Sequence, residues 1–92
     1  MTEAEIRAVA EPILQRWLGP CGLTALEIQP GEDFEGDPII ELTARYPAIR
    51  PTGLAADRLL AKASIEAVHE LREMLISLGE TRFPMLIHKT HQ

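Results

Sequence analysis

The stretch from Leu54 to Leu78 constrains the fold more than any other part of this chain. Its apolar residues Leu60, Ala63, Ala67, Leu71, Met74, Leu75 and Leu78 recur three and four apart, the spacing that puts side chains on one side of an α-helix. A helix with so committed an apolar side needs a floor. Three strand-like runs can supply it: Leu23 to Gln29, Ile39 to Tyr46, and Met85 to Lys89.

In the first run Leu26 and Ile28 alternate with Glu27 and Gln29. In the second, Ile40, Leu42, Ala44 and Tyr46 alternate with Glu41, Thr43 and Arg45. Each strand therefore has one side to bury and one to wet, as in a sheet covered on a single face. Placing Glu27 opposite Glu41 would set like charges together, so a register with Glu27 near Thr43 or Arg45 is expected.

Upstream, Thr2-Glu3-Ala4-Glu5 has the spacing of a capping box, and Ile6, Val9, Ala10, Ile13, Leu14 and Trp17 follow at helical intervals. Pro12 cannot donate to the carbonyl four residues back, which predicts a bend or break around Ala8 to Glu11. Gly19-Pro20 ends the segment. Thr52 is placed to cap the long helix, and Gly79 to close it.

The predicted architecture is α+β, a single domain over residues 1–92 in the order αββαβ. A small, mainly antiparallel three-stranded sheet carries both helices on one face. With the last strand beside the first, the sheet is wholly antiparallel in the order 2-1-3. With it beside the second, that pair is parallel. The first arrangement is the one expected, and either leaves two strand edges open.

Pro30-Gly31-Glu32-Asp33-Phe34-Glu35-Gly36-Asp37-Pro38 joins the first two strands. Glu32, Asp33, Glu35 and Asp37 are candidate oxygen ligands for a hard divalent cation, although the spacing is not that of an EF-hand and lacks its distal Glu. The structural counterpart is a wide hairpin loop whose acids keep its tip solvated. His88-x-x-His91 offers two more metal ligands but no third. Cys21, the single cysteine, excludes an intramolecular disulfide and has no histidine near it in sequence, so an idle thiol is expected.

Gly31-Glu32-Asp33-x-x-Gly36-Asp37-Pro38, together with Leu78-Gly79-x-x-Arg82-Phe83-Pro84, resembles small uncharacterised bacterial α+β proteins of similar length, and implies no activity. Tyr46-Pro47-Ala48-Ile49-Arg50-Pro51 resembles the Tyr-Pro-x-x-x-Pro turn of RWD domains, αβ interaction modules related in fold to ubiquitin-conjugating enzymes. The further strand of that family is missing here, and Cys21 lies upstream of the hairpin, where its nucleophile would not be. No site follows from either resemblance.

Residues 1–46 hold three basic and nine acidic residues, whereas residues 47–92 hold six and five; the whole carries a net charge of -5. That balance argues against nucleic acid as a partner, because binding to it depends on Lys and Arg replacing counterions. Arg45, Arg50, Arg58 and Lys62 can still cluster in the more basic half. No run approaches the roughly twenty apolar residues of a membrane span, and the acidic start is unlike a secretory signal, so the expected location is the cytoplasm.

Within the long helix, Ile65 and Ile76 are eleven residues apart and project almost together, well away from the main apolar stripe. Arg72, His69 and Arg58 flank them. Either the first helix or a second subunit is expected to cover this flank. With no credible catalytic set, the expected function is a non-catalytic interaction or accessory module. A homodimer is expected, acting through Ile65, Ile76, Arg72 and His69 or a sheet edge, and no cofactor is expected. The alternative is a small metal-binding or metal-dependent enzyme domain that uses the acidic loop with a divalent cation.

Overall fold

The computed structural model describes residues 1–48 and 52–90. Helix α1, Glu3–Leu18, opens with the capping box: the Glu5 amide donates to Thr2 Oγ1 at 3.2 Å, and the Thr2 amide to Glu5 Oε1 at 2.8 Å. These bonds satisfy amides that the first turn cannot pair, and the one from the Thr2 amide lowers the Glu5 carboxyl below its ordinary range. The helix runs on through Pro12 without the expected break. Pro12 is exposed, while Ile6, Ala10, Ile13, Leu14 and Leu18 are buried, so packing on the apolar side carries the chain past one missing hydrogen bond. A single 3-10 turn, Gly19–Cys21, then leads to Gly22, whose φ of +100 reverses the chain toward the sheet.

Strands β1, Ala25–Glu32, and β2, Pro38–Tyr46, form an antiparallel hairpin, and β3, Phe83–Thr90, pairs parallel with β2. The order is β1-β2-β3. This corrects the wholly antiparallel 2-1-3 sheet: the sheet is mixed, with β2 at its centre. The burial of β2 explains why. Ile39, Ile40, Leu42, Thr43, Ala44 and Tyr46 are all buried, the profile of a central strand, whereas β1 alternates with exposed Glu27 and Gln29 as an edge does.

The hairpin register sets Glu27 opposite Thr43 and lets Arg45 grip the Glu27 carboxylate at 3.0 Å, as like-charge avoidance requires. Between the strands only Asp33 to Asp37 remain as a turn, tighter than the predicted loop because Pro30, Gly31 and Glu32 belong to β1.

Helix α2, Leu54–Ser77, is the long amphipathic segment. Thr52 does not cap it. Gly53 holds that position at φ +106, with no side-chain hydrogen bond. At the far end the Glu80 amide reaches the Leu75 carbonyl at 2.9 Å and Gly79 adopts φ +91, a glycine-terminated C-cap. Ala63, Ala67, Leu71 and Leu75 are buried, while Met74 and Leu78, assigned to the same stripe by periodicity, are largely exposed. Side chains of both helices and the even-numbered positions of β1 and β2 join in one apolar cluster around Leu42, Leu71 and Tyr46. The odd-numbered face of the sheet carries Glu27, Gln29, Glu41 and Arg45. Among the described residues, no helix is long and apolar enough to cross a membrane.

Candidate functional site

Helix α1 meets α2 along the Glu70 flank: Arg16 is ion-paired to the Glu70 carboxylate, and Trp17 donates its indole N–H to the same oxygen at 3.1 Å. Ile65 and Ile76 are on another side of α2, so α1 does not cover them as one sequence expectation required. Ile65 is 70 % exposed and Ile76 59 %.

Beyond Ile65 a groove of about 380 Å³ opens between α2 and the start of β3, lined by Ser64, Ile65, Val68, His69, Arg72 and Phe83. Three of the four predicted interface residues, Ile65, His69 and Arg72, thus share one concavity. Ile76 follows on the same helical line past Arg72 without lining it. The Arg72 guanidinium lies 5.0 Å from the centre of the Phe83 ring, a cation–π contact that holds the long side chain over an exposed aromatic. His69 Nε2 lies 3.5 Å from Glu73 Oε1, one turn on.

At the upper end of the groove, Ser64 Oγ lies 3.0 Å from His88 Nε2, and His88 Nδ1 lies 2.8 Å from Tyr46 Oη. This chain ties α2, β3 and β2 together, and periodicity gave no sign of it. It exists because the parallel register sets His88 beside Ala44, two residues from Tyr46, under the Ser64 turn of α2. Strand order was the missing information. A serine beside a histidine suggests a nucleophile and its base, but the geometry points elsewhere. Ser64 Oγ donates to the Leu60 carbonyl at 2.6 Å, and the amides around it are spent inside a continuous helix. The arrangement is a polar clamp.

The acidic loop resolves into a backbone device. Asp33 Oδ1 accepts from the amides of Glu35 and Asp37, each at 2.9 Å, while the Asp33 amide donates to the Asp37 carbonyl. Glu32 is the last residue of β1. Among the described residues, no three His, Cys, Asp or Glu side chains converge on a point that could hold a metal ion. Phe34, between the acids, is 98 % exposed at the tip.

The remaining candidates are dispersed. Cys21 is a half-buried free thiol in the 3-10 turn. Arg45 is engaged by Glu27, and Arg50 and His91 lie outside the described residues, as does part of the Tyr46 to Pro51 turn. The most buried charged group among the described residues was not anticipated. Glu80 is 6 % exposed and is gripped by the Arg82 guanidinium through both carboxylate oxygens at 3.0 and 3.1 Å. The Thr81 and Arg82 amides add two bonds at 3.0 Å, and the Met1 amino group lies 3.4 Å away. The Arg82 side chain, helped by the Arg82 amide against the cost of burial, holds the Glu80 carboxyl down at about 2. This set locks the α2–β3 connection onto the start of the chain.

The chain matches no protein-family model, and no curated protein or solved structure is significantly similar to it.

Proposed function

We propose that this chain is a non-catalytic protein-interaction or accessory module of the cytoplasm that works as a homodimer through the outer face of α2. The observation that carries this is the exposure of Ile65 and Ile76 on one line of a helix whose buried side is taken up by α1 and the sheet. Scattered surface isoleucines are ordinary. Two on one helical line, one of them continuous with an apolar groove that includes Val68 and Phe83, mark a surface whose burial is favourable.

Association can draw on about 1.5–3 kcal/mol for each large aliphatic side chain fully removed from water, offset by the rotational and translational freedom lost. The neighbouring charges, Arg72, His69, Glu66 and Glu73, run alongside the two isoleucines and give the surface polar groups that can be paired on association. The outer edge of β3 lies beside the same groove and offers unpaired backbone groups to an extending strand.

Sedimentation equilibrium tests the proposal directly. The wild-type chain is expected to show a concentration-dependent dimer in the micromolar range. Ile65→Glu with Ile76→Glu is expected to abolish it while leaving the circular dichroism spectrum unchanged. A strictly monomeric mass at high micromolar concentration, unaltered by the double substitution, would remove the homodimer.

A further inference from the structure

Lys62, Glu66, His69 and Glu73 follow one another at intervals of four, three and four residues, so they form a single strip along the exposed side of α2 in which basic and acidic groups alternate. Leu59 and Ile76, both more than half exposed, close its two ends. Among the described residues neither Lys62 nor Glu66 has an ion-pair partner within the chain, and the His69 imidazole and Glu73 carboxylate meet only each other. Such a strip complements its own reverse.

We infer that the occupant of this face is a second copy of the chain, with the two α2 helices antiparallel about a two-fold axis that passes between Ala67 and Val68. One register then satisfies every layer at once: Leu59 meets the second copy's Ile76, Lys62 its Glu73, and Glu66 its His69, each contact occurring twice by symmetry. On the groove side Ile65 comes against the aliphatic stem of the second copy's Arg72. A parallel pair would instead set Lys62 on Lys62, Glu66 on Glu66 and Glu73 on Glu73. Sliding the antiparallel pair to bring Ile65 onto Ile76 would match the two isoleucines, but it would place His69 against Arg72, take Glu73 away from Lys62 and leave Glu66 against an apolar residue. Charge order along the strip therefore selects both direction and register.

This inference rests on self-association through α2, and two measurements separate it from that broader proposal. Residues 59 and 76 are seventeen apart on one helix, about 25 Å at 1.5 Å per residue, so cysteines placed there cannot bridge within a chain. In a Cys21→Ser background, Leu59→Cys with Ile76→Cys is expected to give a covalent dimer under mild oxidation. Neither single-cysteine variant should do so efficiently. Lys62→Glu is expected to weaken the dimer by about tenfold, since the reversed charge is met twice, and Lys62→Glu with Glu73→Lys to restore it. A dimer that neither cross-links nor responds to the charge exchange would overturn this register while leaving self-association standing. A chain that stays monomeric and uncross-linked at every concentration would overturn both.

Discussion

Ser64 and His88 are hydrogen-bonded at 3.0 Å across the junction of α2 and β3, and the same imidazole reaches Tyr46 at 2.8 Å through its other nitrogen. The Ser64 hydroxyl proton is directed to the Leu60 carbonyl, so Ser64 Oγ is left to accept, and the His88 proton belongs on Nε2. Tyr46 Oη, on a residue 1 % exposed, then donates to His88 Nδ1. Long-range nitrogen–proton correlation spectra at neutral pH are expected to show His88 as the Nε2–H tautomer. Tyr46→Phe is expected to lower stability by about 1 kcal/mol in urea titrations and to loosen that tautomer preference. An Nδ1–H signature would mean that the serine proton points at the ring and that the site has nucleophilic character after all.

Glu80 gives the chain an acid-sensitive lock. Its carboxyl pKa lies at about 2 when folded, against 4.5 ordinarily, because the Arg82 guanidinium, helped by the Arg82 amide, favours the charged form more than burial disfavours it. A lowered folded value means that the contribution to stability is complete above about pH 4.5 and is lost as pH falls toward 2. Glu80→Gln keeps the shape but loses the charge, and is expected to cost about 1–3 kcal/mol at pH 7. Urea midpoints of the two proteins should converge between pH 4.5 and 2. A gap that stays constant down to pH 2 would show that shape, rather than charge, is what Glu80 supplies.

Trp17, the only tryptophan in the chain, reports on the helix–helix contact because its indole donates to a carboxylate oxygen that also receives Arg16. Glu70→Ala removes both partners together. The expected result is a loss of about 1–2 kcal/mol, since a half-buried indole N–H loses its acceptor and a partly solvated ion pair disappears. Fluorescence emission should shift to the red as water replaces the carboxylate. Arg16→Ala alone should cost less, because the indole keeps its hydrogen bond and loses only the guanidinium 5.6 Å from its ring centre.

The parts of this fold that were legible in advance are those set by local periodicity. The capping box at Thr2 and Glu5, the inward residues of β1 and β2, the extent of α2 and the shared direction of Ile65 and Ile76 all depend on spacing alone; that α1 leaves those two isoleucines exposed does not, because it depends on where α1 docks. Strand order does not. Whether Met85 to Lys89 pairs with the first or the second strand is decided by which strand is buried on both faces, and the signal was present in the unbroken Ile39-Ile40 start of β2 beside the more polar β1. Missing it hid the Ser64–His88–Tyr46 chain, whose members are brought together only by the parallel pairing. The break at Pro12 is absent for a related reason: the cost of an internal proline, about 3 kcal/mol, is outweighed by five buried residues of the same helix. The four loop acids were legible as a cluster in sequence, but not as a turn in which one of them binds the backbone.

That turn carries the last prediction. Asp33 Oδ1 accepts two amides, from Glu35 and Asp37, and Gly36 takes φ +86 to close the reversal, so the side chain at position 33 sets the hairpin that aligns β1 with β2. Asp33→Ala is expected to destabilise the chain by about 1–2 kcal/mol, and Asp33→Asn, which retains a carbonyl oxygen, by less than half of that. A carboxylate already committed to the backbone is poorly placed to bind a cation. Millimolar calcium, magnesium or manganese is therefore expected to leave the melting temperature of the wild-type chain within a degree, and that of Asp33→Ala equally unmoved. A clear upward shift with any of these ions, abolished by Asp33→Ala and by Asp37→Asn, would instead identify the turn as a metal loop whose ligands rearrange on binding.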